Sequence, residues 1–230
     1  MAENGQVLLI DADDTLWENN ILFERAIEDF LDWVEHPTWD RARVRALLDD
    51  VERMNSATHG YGGEVFLRSL GDCLAQLRNR PVTEAERRFL TQLASAVLQC
   101  RVEALPGVED TLRALGRRHR LLLVTKGAVE EQRRKITASR LASHFHAVHI
   151  VREKDADIYR WVVRHHGFAP EKTWMIGNSP KSDIAPAREA GLGAVFIPND
   201  NTWVLEHAEL DPADERVLTL TAFPELLRHF

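Results

Sequence analysis

Cysteine is scarce in this chain of 230 residues: Cys73 and Cys100 are the two, and they lie far from any metal-ligand spacing. A disulfide framework and a cysteine-based metal site are thereby excluded, and both thiols are expected to be reduced and in the core. Long apolar runs are missing too. Nothing in the sequence approaches the ~18 uninterrupted apolar residues of a membrane-spanning helix, so no membrane partner is expected. The opening residues MAENGQ lack the basic and apolar regions of a signal peptide, which makes the cytoplasm the expected location. Positive charge is in deficit, with 29 Lys and Arg against 36 Asp and Glu. The resulting charge of −7 argues against nucleic acid as a partner, because phosphate backbones attract basic surfaces. Internal repeats and low-complexity segments are absent as well. What remains is an ordinary globular composition, long enough to bury a full core.

What is present is organised around Val7-Leu8-Leu9-Ile10-Asp11-Ala12-Asp13-Asp14-Thr15-Leu16. Four consecutive apolar residues read as a strand buried on both faces. The three aspartates that follow would not be tolerated unpaired inside such a strand, so it must end at Asp11. In an open α/β sheet, the C-terminal edge of a strand is where ligands bind. Asp11 and Asp13 lie two apart, so extended backbone would place them on one side, within reach of one reactant or cation. A solvated Asp-rich turn is the plain alternative. The partners supplied by the rest of the chain decide between them.

From Trp17 to about Gln99 only helical periodicity appears. Ile21, Phe23, Ala26, Ile27, Phe30, Leu31 and Val34 mark one amphipathic helix, stopped by His36-Pro37. Val44 to Met54 marks a second, the glycine-rich His59-Gly60-Tyr61-Gly62-Gly63 breaks it, and Val65 to Leu77 marks a third. Thr83-Glu84-Ala85-Glu86 is a capping box opening a fourth. Four helices without a strand predict a small inserted bundle. After Leu105-Pro106-Gly107, strands alternate with helices. Strands are expected at Leu121–Val124, Ala147–Val151, Thr173–Ile176 and Ala194–Ile197. Helices are expected near Val108–Arg117, Val129–Ser139, through Ile158–Val163, from about Ser182 to Ala190, and briefly at Leu226-Leu227. Such alternation predicts a parallel sheet wrapped by helices.

Each of these strands ends in polar residues. Leu121–Val124 leads into Thr125-Lys126-Gly127, Ala147–Val151 into Arg152-Glu153-Lys154-Asp155, and Thr173–Ile176 into Gly177-Asn178-Ser179-Pro180-Lys181-Ser182-Asp183. Parallel strands present their C-terminal ends on one side, so these groups should converge on Asp11 and Asp13. A hydroxyl, one or two amines and several oxygen ligands around paired carboxylates describe a site for a metal-bound phosphate.

These four segments resemble the signature set of the haloacid dehalogenase superfamily. Asp11-Ala12-Asp13-Asp14-Thr15 is similar to its first motif, Thr125 to its second, Lys154 to its third, and Gly177-Asn178 with Asp183 to its fourth, in the right order over essentially the whole chain. The resemblance implies a Rossmann-like α/β core over residues 1–16 and 105–230, with strand order 5-4-1-2-3, and a helical cap over 17–104. It implies that Asp11 attacks phosphorus and forms an aspartyl phosphate, a known use of carboxylate nucleophiles. Asp13 would protonate the leaving alcohol and then activate water. Thr125 and the Gly127 amide would hold phosphoryl oxygens, and Lys154 would neutralise charge. The implied cofactor is Mg²⁺, bound by Asp11, the Asp13 carbonyl and one or both of Asn178 and Asp183. The implied activity is hydrolysis of a small phosphate monoester, with a small phosphorylated metabolite as partner and a monomer or homodimer as the assembly.

Two departures stand out. Asn178 occupies a position where the family usually has aspartate, leaving the site one negative charge short, with either Asn178 or Asp183 as the direct ligand. Asp14 replaces a common glycine, which a turn should tolerate. Lys126 either adds a phosphate contact or points outward. His59, Tyr61 and Arg68 flank the glycine-rich break and either read the substrate or form a plain helix–helix turn. Trp17, Trp33, Trp39, Trp161 and Trp174 read as packing residues, and the histidines, His165-His166 included, as surface or capping groups. The rival readings are a 2-haloacid dehalogenase, which would lack the acid that Asp13 supplies and need no metal, a phosphomutase, and a non-catalytic phosphate-binding protein.

Overall fold

The structure is a computed structural model that describes residues 5–100 and 102–230. In chain order it contains β1 (Val7–Ile10), α1 (Asn20–Trp33), α2 (Arg41–His59), α3 (Gly63–Arg78), α4 (Glu84–Leu93), α5 (Ser95–Leu98) and α6 (Val108–Leu115). There follow β2 (Arg120–Lys126), α7 (Val129–Ser139), β3 (Ala147–Val151), α8 (Ala156–His166), β4 (Thr173–Gly177), α9 (Ala185–Glu189), β5 (Gly193–Phe196) and β6 (Val217–Thr219). The chain divides into two compact units: the N-terminal segment to Glu18 joins Val102–Phe230 in one, and the other begins at Asn19 and runs to Arg101.

The first unit is an α/β sandwich around a six-stranded, all-parallel sheet of order β3-β2-β1-β4-β5-β6. The continuous apolar runs split by pleat into two buried faces. Leu8, Ile10, Leu121, Leu123, Ile176 and Val195 pack with Val108, Leu112 and Leu115 of α6 and with Phe223, Leu226 and Phe230 near the C-terminus. Leu9, Leu122, Val124 and Met175 point the other way, against Tyr159, Val162 and Val163 of α8. Truncating one of these fully buried leucines to alanine costs roughly 2–5 kcal/mol, so both faces contribute to stability. In register, Ile10 stands between Leu123 and Ile176, and the Asp11 amide donates to the Ile176 carbonyl at 2.9 Å. The strand thus stays zipped to β4 up to the first aspartate. β6 was not expected: three residues, two of them half-buried and one exposed, are too short to carry a periodic signal. The helix anticipated from Ser182 opens instead on a π-turn, Pro180–Ile184, in which the Asp183 and Ile184 amides both donate to the Ser179 carbonyl. The last helix is a 3₁₀ turn, Phe223–Arg228.

The second unit is helical, and its core is built from Ala26, Ile27 and Phe30 of α1, Leu48 and Val51 of α2, Phe66, Leu70 and Leu74 of α3, and Leu90 of α4. The capping box forms as the sequence predicts, with the Thr83 hydroxyl on the Glu86 amide and the Glu86 carboxylate on the Thr83 amide. The fourth helix is interrupted at Ala94 and resumes as α5. Gly60 and Gly62 take φ values of +84° and +128°, which explains why the break between α2 and α3 is written in glycine.

Trp161 departs from the packing role expected of it: it is 43% exposed and stacks on His165. Beside it, His149 of β3 and His166 of α8 meet at 2.8 Å between their Nε2 atoms, one ring donating and the other accepting. Burial, then the neighbouring histidines, hold both rings below the usual histidine range.

Candidate active site

The C-terminal ends of β1, β2 and β4, the chain beyond β3, and α7 bring Asp11, Asp13, Thr125, Lys154, Asn178 and Asp183 into one region of the α/β unit. The centre is a buried charge triad. Lys154 donates from Nζ to Asp11 Oδ1 and, at 2.6 Å, to Asp183 Oδ1. All three side chains are buried. One ammonium facing two carboxylates leaves a negative charge uncompensated. Burial is the largest influence on the Asp11 carboxyl and pushes it up to about 7, with Asp183 adding to the rise and Lys154 opposing it. Burial alone would lower Lys154, yet the two aspartates raise it, so the ammonium stays charged.

Asp183 reaches this position through the π-turn, and its second oxygen accepts from the Ser179 amide at 3.0 Å. Gly177 makes room for it: a Cβ there would lie 2.2 Å from Asp183 Oδ2. Gly177→Ala is therefore expected to push Asp183 off Lys154 and destabilise the protein by roughly 2–4 kcal/mol. A urea-unfolding midpoint equal to wild type would show that the turn yields freely.

The other oxygen of Asp11 accepts from the Thr15 hydroxyl at 3.2 Å, and the same hydroxyl lies 3.4 Å from Asn178 Oδ1. Thr15 has one proton for two acceptors, so Asp11 Oδ2 and Asn178 Oδ1 form a pair of hard oxygen donors in a region of net negative charge. That is the donor chemistry Mg²⁺ takes. Among the described residues, no three His, Cys, Asp or Glu side chains gather as a metal site. A cation here would draw on the amide oxygen of Asn178, backbone carbonyl and water besides Asp11. Asp183, with one oxygen on Lys154 and the other on Ser179, stands behind this pair. Asp14 turns the chain at φ +60°, a left-handed conformation that aspartate tolerates better than most residues.

Asp13 has a separate set of partners. Trp17 Nε1 donates to its Oδ1 at 2.7 Å, Gln132 Nε2 to its Oδ2 at 2.8 Å, and Lys135 Nζ to both oxygens at 3.2 and 3.0 Å. Burial alone would raise this carboxyl, but Lys135 and the hydrogen bonds hold it below the usual carboxylate range. Sequence reading placed Trp17 in packing and missed Gln132 and Lys135, which sit on a helix charged enough to pass for a solvated one.

Thr125 is buried near the end of β2. The Gly127 amide departs from its implied role, because it donates to the Val151 carbonyl at 3.1 Å and extends the pairing of β2 with β3. Lys126 neither points outward nor stands ready for phosphate. Its Nζ donates to Glu206 at 2.5 Å, Ser182 at 2.8 Å and Glu153 at 3.3 Å. Glu206 also accepts from Ser179 and Ser182, both at 2.5 Å, tying the chain beyond β5 to the π-turn. The remaining sequence candidates belong to the helical unit: His59 ends α2, Tyr61 is half-buried in the turn, and Arg68 is exposed on α3.

A family model described as haloacid dehalogenase-like hydrolase matches residues 6–191. A phosphoserine phosphatase of Thermus thermophilus is 26% identical over 84% of this chain and 88% of its own length. A haloacid dehalogenase-like family hydrolase from Xanthomonas campestris shares the fold with a TM-score of 0.81 at 23% identity, covering 98% of this chain and 96% of that one. The L-2-haloacid dehalogenase from Xanthobacter autotrophicus does so with a TM-score of 0.64 at 16% identity, over 97% of each chain.

Proposed function

Because the chain belongs to the haloacid dehalogenase-like hydrolase family, we propose that it is a Mg²⁺-dependent phosphatase that hydrolyses a small phosphate monoester through an aspartyl phosphate on Asp11. The observation that carries this reading is Asp13. A dehalogenase has no use for a second carboxylate two residues after the nucleophile, whereas an ester hydrolase needs a group to move a proton at the leaving oxygen and then at water. Here that group is an ordered carboxylate with donors on both oxygens.

In the first step an Asp11 oxygen bonds to phosphorus, the ester P–O bond breaks, and the departing alkoxide takes a proton from Asp13, which must first be loaded from solvent against the pull of Lys135 and its other hydrogen bonds. In the second step Asp13, now a carboxylate, takes a proton from water as the water oxygen bonds to phosphorus. The acyl phosphate opens to free phosphate and Asp11, and Asp13 is again protonated. Lys154 keeps Asp11 oriented and offsets charge at the reacting centre. Thr125 holds a phosphoryl oxygen. Asp11, Asn178 and the Asp13 carbonyl would hold Mg²⁺, whose contribution is to neutralise phosphoryl charge. The helical unit, which begins at Asn19 and runs to Arg101, serves as a cap in this reading, with His59, Tyr61 and Arg68 as substrate-reading candidates.

Phosphate release from a panel of phosphorylated metabolites, with Mg²⁺ and with EDTA, tests the proposal. Release that requires the metal is expected. Chloride release from 2-chloropropionate that persists in EDTA would overturn it in favour of the dehalogenase, a reading to which the uncharged Asn178 lends weight.

Metal binding should also be linked to pH. A cation on Asp11 favours its ionised form, and burial has pushed this carboxyl from 3.8 to about 7. Affinity for Mg²⁺ should therefore climb as pH rises through about 7 and level off above it. The rise in melting temperature caused by saturating Mg²⁺ is expected to be larger at pH 8 than at pH 6, read by a thermal-shift assay. An equal rise at both would separate the metal from Asp11.

A further inference from the structure

Three polar side chains of α7 are buried where a helix facing a core would carry apolar ones: Glu131, Gln132 and Lys135. Gln132 and Lys135 stand three apart, on one face of the helix, and both reach Asp13. The orientation of the Gln132 amide is fixed by two acceptors, since Nε2 donates to Asp13 Oδ2 at 2.8 Å and to the Lys126 carbonyl at 3.2 Å. Rotating the amide would set an oxygen against both. Among the described residues its own Oε1, which is buried, has no hydrogen-bond partner, an arrangement that costs about 1–3 kcal/mol. The backbone accommodates it as well. Gly127 has φ +142°, and a Cβ at that position would lie 2.9 Å from Gln132 Nε2. Lys135 is buried with its ammonium on both oxygens of Asp13 and 3.3 Å from Glu131. A buried ion pair adds little stability over an apolar replacement. The arrangement serves the geometry of Asp13 better than it serves the stability of the fold.

We propose that Gln132 and Lys135 are positioning residues: they hold the Asp13 carboxylate in the one orientation from which it exchanges protons with the leaving oxygen and the attacking water. This rests on the reading of Asp13 as the proton-transfer group. Neither residue is assigned a contact with substrate. Each acts through Asp13, and Trp17 completes the clamp from the opposite oxygen.

The test separates the two chemical steps. With p-nitrophenyl phosphate the leaving group needs no proton, so a stopped-flow burst of p-nitrophenolate reports attack by Asp11, and the steady state reports hydrolysis of the intermediate. Asp13→Asn should keep the burst and lose about 10²-fold or more of the steady state, the range of general acid–base catalysis. Lys135→Met should show the same pattern at about tenfold or more, with KM within about twofold of wild type, because misplacing a catalytic group slows chemistry without weakening binding. Gln132→Met should follow with a smaller loss, and it carries the test if Lys135→Met does not fold. Burst and steady state falling together in the variant that folds, or both unchanged, would overturn the positioning role. A normal steady state in Asp13→Asn would instead overturn the assignment of Asp13, and the two failures are thereby told apart.

Discussion

Asp11→Asn is expected to lower turnover of every phosphate ester by about 10⁴-fold or more, because an amide oxygen does not form the covalent intermediate. The fold should be unaffected. Asparagine has the same shape, its oxygen can accept from Lys154, and its Nδ2 can donate to a Thr15 hydroxyl turned to receive it. Lys154 keeps Asp183 at 2.6 Å, and one ammonium then faces one carboxylate. The metal-free variant is therefore expected to be more stable than wild type at pH 8, by ~1–3 kcal/mol, a familiar exchange of stability against activity. The sign follows from the direction of the shift. A carboxyl raised from 3.8 to about 7 binds its proton more tightly in the folded state, so wild type loses stability as pH climbs through that interval. The gap should open between those two values and stay level above the upper one. Urea unfolding in EDTA across this range reads it, and phosphate release reads the activity. Retained turnover would move the nucleophile elsewhere; a less stable variant at pH 8 would refute the account of the triad.

The residues that announce this site in the sequence are those that end buried strands. Asp11, Thr125, Lys154, Asn178 and Asp183 were legible because a parallel sheet delivers every strand's C-terminal end to one edge. The strand order was implied by the resemblance to the haloacid dehalogenase superfamily, and β1 indeed lies between β2 and β4. β6 was not legible, since a strand of three residues shows no period. Nor was the clamp on Asp13. Val129–Ser139 carries charge all round, and nothing in such a helix distinguishes a lysine bound for solvent from one turned inward, until the fold places Asp13 beneath it. The choice between Asn178 and Asp183 had the same character. It depends on a π-turn that aims Asp183 at Lys154 while Asn178, ahead of the turn, faces Thr15, a backbone detail that Pro180-Lys181-Ser182 does not spell. Lys126 was ambiguous because its partner, Glu206, is 80 residues away in sequence.

Lys154→Met carries the second large effect, and it falls on stability as much as on turnover. Methionine fills the volume of the lysine stem but brings no charge, so two buried carboxylates are left facing each other without an ammonium. Breaking a buried pair in this way costs about 3–5 kcal/mol, unlike exchanging the whole pair for apolar groups. Turnover should fall by about 10³-fold or more, because the group that orients Asp11 and offsets charge at the reacting centre has been removed. Acid should repair the stability and not the turnover. Without Lys154 the lowering pull on Asp11 is gone and its carboxyl binds a proton more readily still, so the deficit against wild type shrinks as pH falls from 8 toward 5.5. Adding Asp183→Asn to Lys154→Met should recover part of the lost stability at pH 8 by the same logic, with activity still absent. Urea unfolding of the two variants at both pH values reads the stabilities, and phosphate release reads the turnover. A Lys154→Met protein as stable as wild type at pH 8 would mean that solvent reaches the triad, and that Asp11 owes its raised pKa to something other than burial beside Asp183.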